Sequence, residues 1–144
     1  MIKGTKKEIL HNLASISDVI FVGGTSEYLQ GIKTELNDID ISISDLKLLN
    51  GFGYIHKNFD NAFYGLSGHR GFIPLENALI DIFIDKNPDY IMVNGFKCET
   101  VQSMILLREK TLKFNHEKLS EKSKHKIREN LDRLLLWSSL NIHS

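Results

Sequence analysis

The segment from Phe21 to Ile43, FVGGTSEYLQGIKTELNDIDISI, constrains the fold more than any other stretch of the chain. Asp18 to Val22 is almost wholly apolar and reads as a strand buried on both faces. Gly23-Gly24 breaks it. Ser26 to Gly31 reads as a short helix with Gly31 as its terminator, and Lys33 to Asn37 as a polar loop. Asp38 to Ile43 then reads as a second strand. Alternate residues of a strand share a face. Asp38 and Asp40 therefore project together, while Ile39, Ile41 and Ile43 project into a core. Strand, glycine turn, helix and returning strand bring the two acids and the turn to the same end of one sheet.

Two neighbouring carboxylates repel unless something positive lies between them. Oxygen-only ligands suit Mg²⁺ or Mn²⁺. Gly23 and Gly24 let the backbone approach an anion with no Cβ in the way. Thr25 and Ser26 add hydroxyls, and the start of the helix adds a partial positive charge. A lone glycine pair is an ordinary tight turn, and alternating charge is an ordinary solvated strand face. Their combination, with the glycines some fourteen residues before Asp38, favours a site for a nucleoside triphosphate. A third acid, Asp81, sits mid-strand between Ile80 and Ile82 in LIDIFID, Leu79 to Asp85. A charge in so apolar a run is costly unless paired or metal-bound. Asp85, nearer the strand end, is the alternative and reads more simply as a solvated turn residue.

The rest of the chain fills in an α+β fold. Thr5 to Ile16 reads as a helix opened by a capping box of Thr5 and Glu8. Asp45 to Leu49 reads as a helical turn before Asn50-Gly51. Tyr54 to Phe59 and Phe63 to Leu66 read as a hairpin, and Ser67 to Gly71 as a loop in which His69 and Arg70 could gate a site. Tyr90 to Val93 and Phe96 to Glu99 read as a hairpin around Asn94-Gly95. Val101 to Phe114 and Leu119 to Leu140 read as two long helices. The expected organisation is one domain over 1–144, with a sheet-bearing core over 5–100 and a helical part over 101–140.

A chain 42% hydrophobic and 25% charged is neither disordered nor fibrous. No apolar run approaches the roughly 20 residues that span a membrane, and the N-terminus has no apolar signal core. Cys98 is the only cysteine, so no internal disulfide forms, which fits a reducing cytoplasm. Cys98 reads as a small hydrophobe buried in a strand rather than as a nucleophile. The zero net charge hides an asymmetry: Met104 to Leu135 carries nine Lys or Arg against five Asp or Glu. Arg108, Lys110 and Lys113 lie within two turns of one helix, where they are either solvated or directed at an anion. Lys118 to Arg128 could meet an RNA backbone, but it lacks interleaved aromatics for stacking.

Val22-Gly23-Gly24-Thr25-Ser26, followed by Asp38-Ile39-Asp40-Ile41 and a later strand acid at Asp81, resembles the DNA polymerase β-like nucleotidyltransferase superfamily. GGT with Tyr28, Leu29 and Gly31 before Asn37-Asp38-Ile39-Asp40 looks like its small stand-alone branch, which includes minimal nucleotidyltransferases of toxin–antitoxin and abortive-infection systems. The resemblance implies a nucleotidyltransferase-like mixed sheet with flanking helices and two closing helices. It implies that Asp38, Asp40 and Asp81 hold Mg²⁺, that Asp81 helps deprotonate the acceptor hydroxyl, and that Gly23, Gly24, Thr25 and Ser26 bind the phosphates; apart from the resemblance, Arg108 or Lys110 of the basic helix could reach the same triphosphate. An NMP, from ATP as the expected donor, would pass to a hydroxyl of a protein, an RNA such as tRNA, or a small molecule, with release of pyrophosphate. Many members carry a basic residue soon after the glycine turn, where this chain has Glu27 and Tyr28, and a Lys-Asp pair in the last helix, which Lys126 to Asn130 does not match. The alternative is a catalytically weak member that masks a partner, as an antitoxin does.

Overall fold

Nine residues, Lys6–Ala14, form the first helix, α1, because apolar side chains recur on one face and the first turn is capped. The Thr5 hydroxyl accepts from the Glu8 N–H at 3.1 Å, and the Glu8 carboxylate accepts from the Thr5 N–H at 3.1 Å. The capping box read in the sequence is thus present on both sides. Glu8 is held below the usual carboxylate range by the Thr5 backbone N–H and the Thr5 hydroxyl. The computed structural model describes residues 4–57, 69–84, 88–114, 117 and 119–140.

The protein is mixed α+β. Its strands are β1 (Ile20–Phe21), β2 (Ile39–Ser42), β3 (His56–Lys57), β4 (His69–Pro74), β5 (Leu79–Phe83), β6 (Tyr90–Val93) and β7 (Phe96–Glu99). They form one sheet in the order β3-β4-β5-β2-β1-β7-β6. β1 runs antiparallel to β2 and parallel to β7, while β2 runs parallel to β5. The connection between the antiparallel β1 and β2 contains α2 (Gly23–Leu29). Contacts divide the chain into two compact units, Met1–Glu99 and Thr100–Ser144.

One face of the sheet is the core of the first unit. Ile9, Leu10 and Leu13 of α1 join Phe21, Ile39, Ile41, Ile73, Ile80, Ile82 and Cys98 there. Each large aliphatic side chain removed from water contributes about 1.5–3 kcal/mol. The isoleucines of β2 and β5 sit side by side in register, Ile39 beside Ile80 and Ile41 beside Ile82. The alternation in both strands therefore puts Asp40 and Asp81 on the other face.

Several boundaries differ from the sequence reading. α2 begins at Gly23, not at Ser26, so the glycines open the helix instead of preceding it. Gly23 takes φ +52°, a left-handed value that glycine adopts without a Cβ penalty. The turn expected over Asp45–Leu49 is a 3-10 helix over Leu46–Phe52 that absorbs Asn50-Gly51, capped by the Asp45 carboxylate on the Lys47 N–H. His69 to Gly71, expected in a loop, belong to β4. β3 pairs with β4, so the strand after Tyr54 finds its partner later than expected. Phe59, Phe63 to Leu66, Ser67, Gly68 and Asp85 lie outside the described residues. The β6–β7 hairpin turns at Asn94 (φ +51°) and Gly95 (φ +88°), the left-handed pair that an Asn-Gly turn requires.

The second unit consists, among the described residues, of α3 (Val101–Phe114) and α4 (Glu121–Leu140), which pack on one another. Lys124 is buried in it and pairs with Glu121 at 3.2 Å. No helix among the described residues is long and apolar enough to cross a membrane.

Candidate active site

Register assembles the site. β2 and β5 are adjacent and parallel, and Asp40 stands directly beside Asp81. Neighbouring strands are about 4.8 Å apart, so two carboxylates 41 positions apart in sequence become immediate neighbours on the open face. Both are half-buried. The glycine bend lies against them. A Cβ built on Gly23 would stand 3.3 Å from Asp40 Oδ2, and one on Gly24 would stand 3.8 Å from the same atom. Any larger residue at position 23 would crowd the carboxylate as well as strain the backbone.

Asp38 is placed differently. It precedes β2, is exposed, and its Oδ1 accepts from the Leu79 N–H at 2.9 Å. It thereby ties the entry of β2 to the entry of β5. Among the described residues no group of three Asp, Glu, His or Cys side chains is gathered closely enough to hold a metal ion. Asp40 and Asp81 are brought together; Asp38 adjoins them but faces the β5 backbone.

The hydroxyls after the glycines are engaged within the fold. Thr25 is fully buried, and its Oγ1 accepts from the Asp40 N–H at 2.7 Å while donating to the Asp38 carbonyl at 3.4 Å. Ser26, also fully buried, donates to the Glu99 carbonyl at 2.7 Å and accepts from Gln30 Nε2 at 2.9 Å. The Gly23 N–H donates to Glu99 Oε1 at 3.1 Å. Thr25 and Ser26 therefore fasten α2 to β2 and β7 and hold the bend against Asp40. The Gly24 N–H lies in the first turn, where the helix itself provides no carbonyl four residues back.

Two residues of this region escaped the sequence reading. By sequence, Lys33 belongs only to a polar loop. Its ammonium lies 3.4 Å from where a Gly24 Cβ would be, a point that Asp40 Oδ2 approaches to 3.8 Å. Its signal was its place between Gly31 and Asn37, in the loop that leads into the acidic strand. Glu99 is the other. A carboxylate 1% exposed at the end of β7 fixes the Gly23 amide. Nothing in the sequence pairs position 99 with position 23; only the parallel β1–β7 contact does.

Lys110, on α3 of the second unit, has an exposed side chain. Cys98 is fully buried in β7, and burial pushes its thiol up to about 11, so it is a core residue and not a nucleophile.

Among the described residues, this face of the sheet thus offers two adjacent carboxylates, a glycine bend without a Cβ and, near Gly24, the Lys33 ammonium. Such a set can receive a polyanion only with a compensating cation. No family model, no curated protein and no solved structure matches the chain.

Proposed function

We propose that the protein is a metal-dependent nucleotidyltransferase, with the Asp40–Asp81 pair beside Gly23-Gly24 as its centre. The observation that carries this reading is the register of β2 on β5, which sets two carboxylates side by side at a bend against which Asp40 Oδ2 lies within 3.3 Å of a missing Cβ. The donor set of Asp40 and Asp81 is chemically suited to Mg²⁺ or Mn²⁺, because carboxylates supply hard oxygens only. Asp40 and Asp81 would hold the ion, with Asp38 adjoining. When bound, it neutralises the triphosphate and the charge that develops in transfer.

The chain's own residues do the rest. The bare bend at Gly24 and the Lys33 ammonium receive the β- and γ-phosphates of the NTP, with ATP the expected donor. The acceptor hydroxyl oxygen bonds to the α-phosphorus as the bond to the bridging oxygen breaks. Pyrophosphate leaves with that electron pair. The hydroxyl proton passes to the Asp81 carboxylate and on to solvent. Thr25, Ser26 and Glu99 act by position, holding the bend and the Asp40 backbone in place.

A specific observation favours a second reading, a binding protein of the antitoxin kind without transfer. Asp38, one of the acids expected to hold the ion, is already engaged by the Leu79 N–H within the fold. Incubation of purified protein with each NTP, Mg²⁺ and a mixed set of acceptors separates the two. The transferase reading expects pyrophosphate release that falls by about a hundredfold or more in Asp40→Asn and Asp81→Asn. Absence of release with all four nucleotides supports the binding protein.

A further inference from the structure

The row that contains the two acids does not stop at β5. On the same face, Phe72 of β4 stands opposite Asp81, and His56 of β3 stands opposite Phe72. Cross-strand partners share a face, so His56, Phe72, Asp81 and Asp40 form one line across four strands. The rings are ordered along it. His56 stacks on Phe72 with centroids 5.1 Å apart and planes 13° from parallel, and Tyr54 meets His56 edge-on at 4.8 Å. Tyr54 is 77% exposed, and His56 is exposed as well. Ile55, between them, turns to the core. Exposed rings such as Tyr54 and His56 are not there for core burial.

We propose that Tyr54, His56 and Phe72 form a stacking platform for the nucleobase at the end of a single-stranded polynucleotide, which is the acceptor. The inference rests on the nucleotidyl-transfer reading and adds the acceptor's class to it. In-line displacement puts the attacking oxygen opposite the leaving group. The pyrophosphate lies at the Gly24 and Lys33 end of the row. The attacking hydroxyl therefore enters from the opposite end, over Asp81 from the β4 side. Phe72 is one strand spacing, about 4.8 Å, beyond Asp81. A terminal nucleoside whose sugar hydroxyl reaches Asp81 has its base, one sugar ring away, beside Phe72. That base adds the next layer to the His56–Phe72 stack, on the Asp81 side of Phe72. A base offers a planar face whatever its identity, so the platform tolerates sequence. The step is the one already written, with the polynucleotide's terminal hydroxyl supplying the oxygen and the proton.

The test measures binding, not turnover. A fluorescein-labelled single-stranded tetraribonucleotide and a non-hydrolysable ATP analogue with Mg²⁺ are titrated separately into the wild type, Phe72→Leu, Phe72→Tyr and Tyr54→Ala. The expected result is a rise of about tenfold or more in the oligonucleotide Kd for Phe72→Leu, retention in Phe72→Tyr, and analogue affinity within about twofold of wild type throughout. The loss should persist at high salt, because stacking, unlike phosphate contact, is not screened. The proposal is overturned if the wild type does not bind the oligonucleotide, if Phe72→Leu binds it as well as wild type does, or if only the analogue is weakened, which would assign the rings to the donor base. Should the oligonucleotide bind through Phe72 while no variant binds the analogue, the platform stands and the transfer reading fails.

Discussion

The Thr25 hydroxyl is committed within the fold on both its donor and its acceptor side. Its Oγ1 already accepts the Asp40 N–H at 2.7 Å in a fully buried position. Thr25→Val keeps the shape and removes the acceptor, leaving a buried amide unpaired. The expected cost is about 1–3 kcal/mol in urea unfolding, and Thr25→Ser should recover most of it. If Thr25→Val instead leaves stability unchanged, the hydroxyl is not the latch. Cys98 is inert by the same logic of burial. Its thiol, pushed up to about 11, should react with a disulfide reagent at pH 8 only at the rate of unfolding, so the reaction should accelerate with denaturant.

Asp18 gives the residue scale its pH signature. The Ser44 hydroxyl and the Ser44 N–H both donate to Asp18 Oδ2, and they hold its carboxyl below the usual carboxylate range. A group depressed in the folded state contributes stability above its unfolded pKa and loses it as pH falls through the folded value. Melting temperature should therefore decline more steeply in wild type than in Asp18→Asn as pH falls below about 4. Equal slopes would mean that the Ser44 contact has no energetic weight.

Among the elements, β3 is the most exposed to a single substitution. It has two residues and one partner. Gly71 of β4 lies against it so closely that a Cβ would meet the His56 carbonyl oxygen at 2.6 Å and Ile55 Cγ2 at 3.1 Å. The first obstacle is backbone and cannot swing aside. Gly71→Ala should displace β3, lower stability by about 1–3 kcal/mol, and weaken oligonucleotide binding as Phe72→Leu does. Hydrogen exchange at His56 and Lys57 would report the displacement directly. α2 is the other vulnerable element. At seven residues it is too short to stand alone, and it stays helical because Thr25, Ser26 and Gly23 are tied to strands on either side.

For the whole molecule, the site is a consequence of sheet order. β5 adds to β2 in parallel, β4 to β5, and β3 to β4. Each addition places one more residue on the line from Asp40 outward. Mg²⁺ binding to the folded state should raise the melting temperature of wild type, and less so that of Asp40→Asn or Asp81→Asn. An equal rise in all three would put the ion elsewhere. In the helical unit, Leu106, Phe114, Leu136 and Leu140 are more than half exposed.

Local patterns determined much of this protein. The alternation in IDISI and LIDIF was enough to separate acid from core, the capping box to start α1, and Asn94-Gly95 to turn the last hairpin. These are properties of residues a few positions apart, where backbone geometry leaves few choices. Only the tertiary structure decided what lies beside what. That Asp81 is Asp40's neighbour while Asp38 is held by Leu79, that Lys33 folds back to the glycine bend, that Glu99 fixes Gly23, and that two aromatic strands extend the acidic row all depend on strand register. Register is set by the summed burial of the whole isoleucine face, a quantity no short stretch of sequence contains.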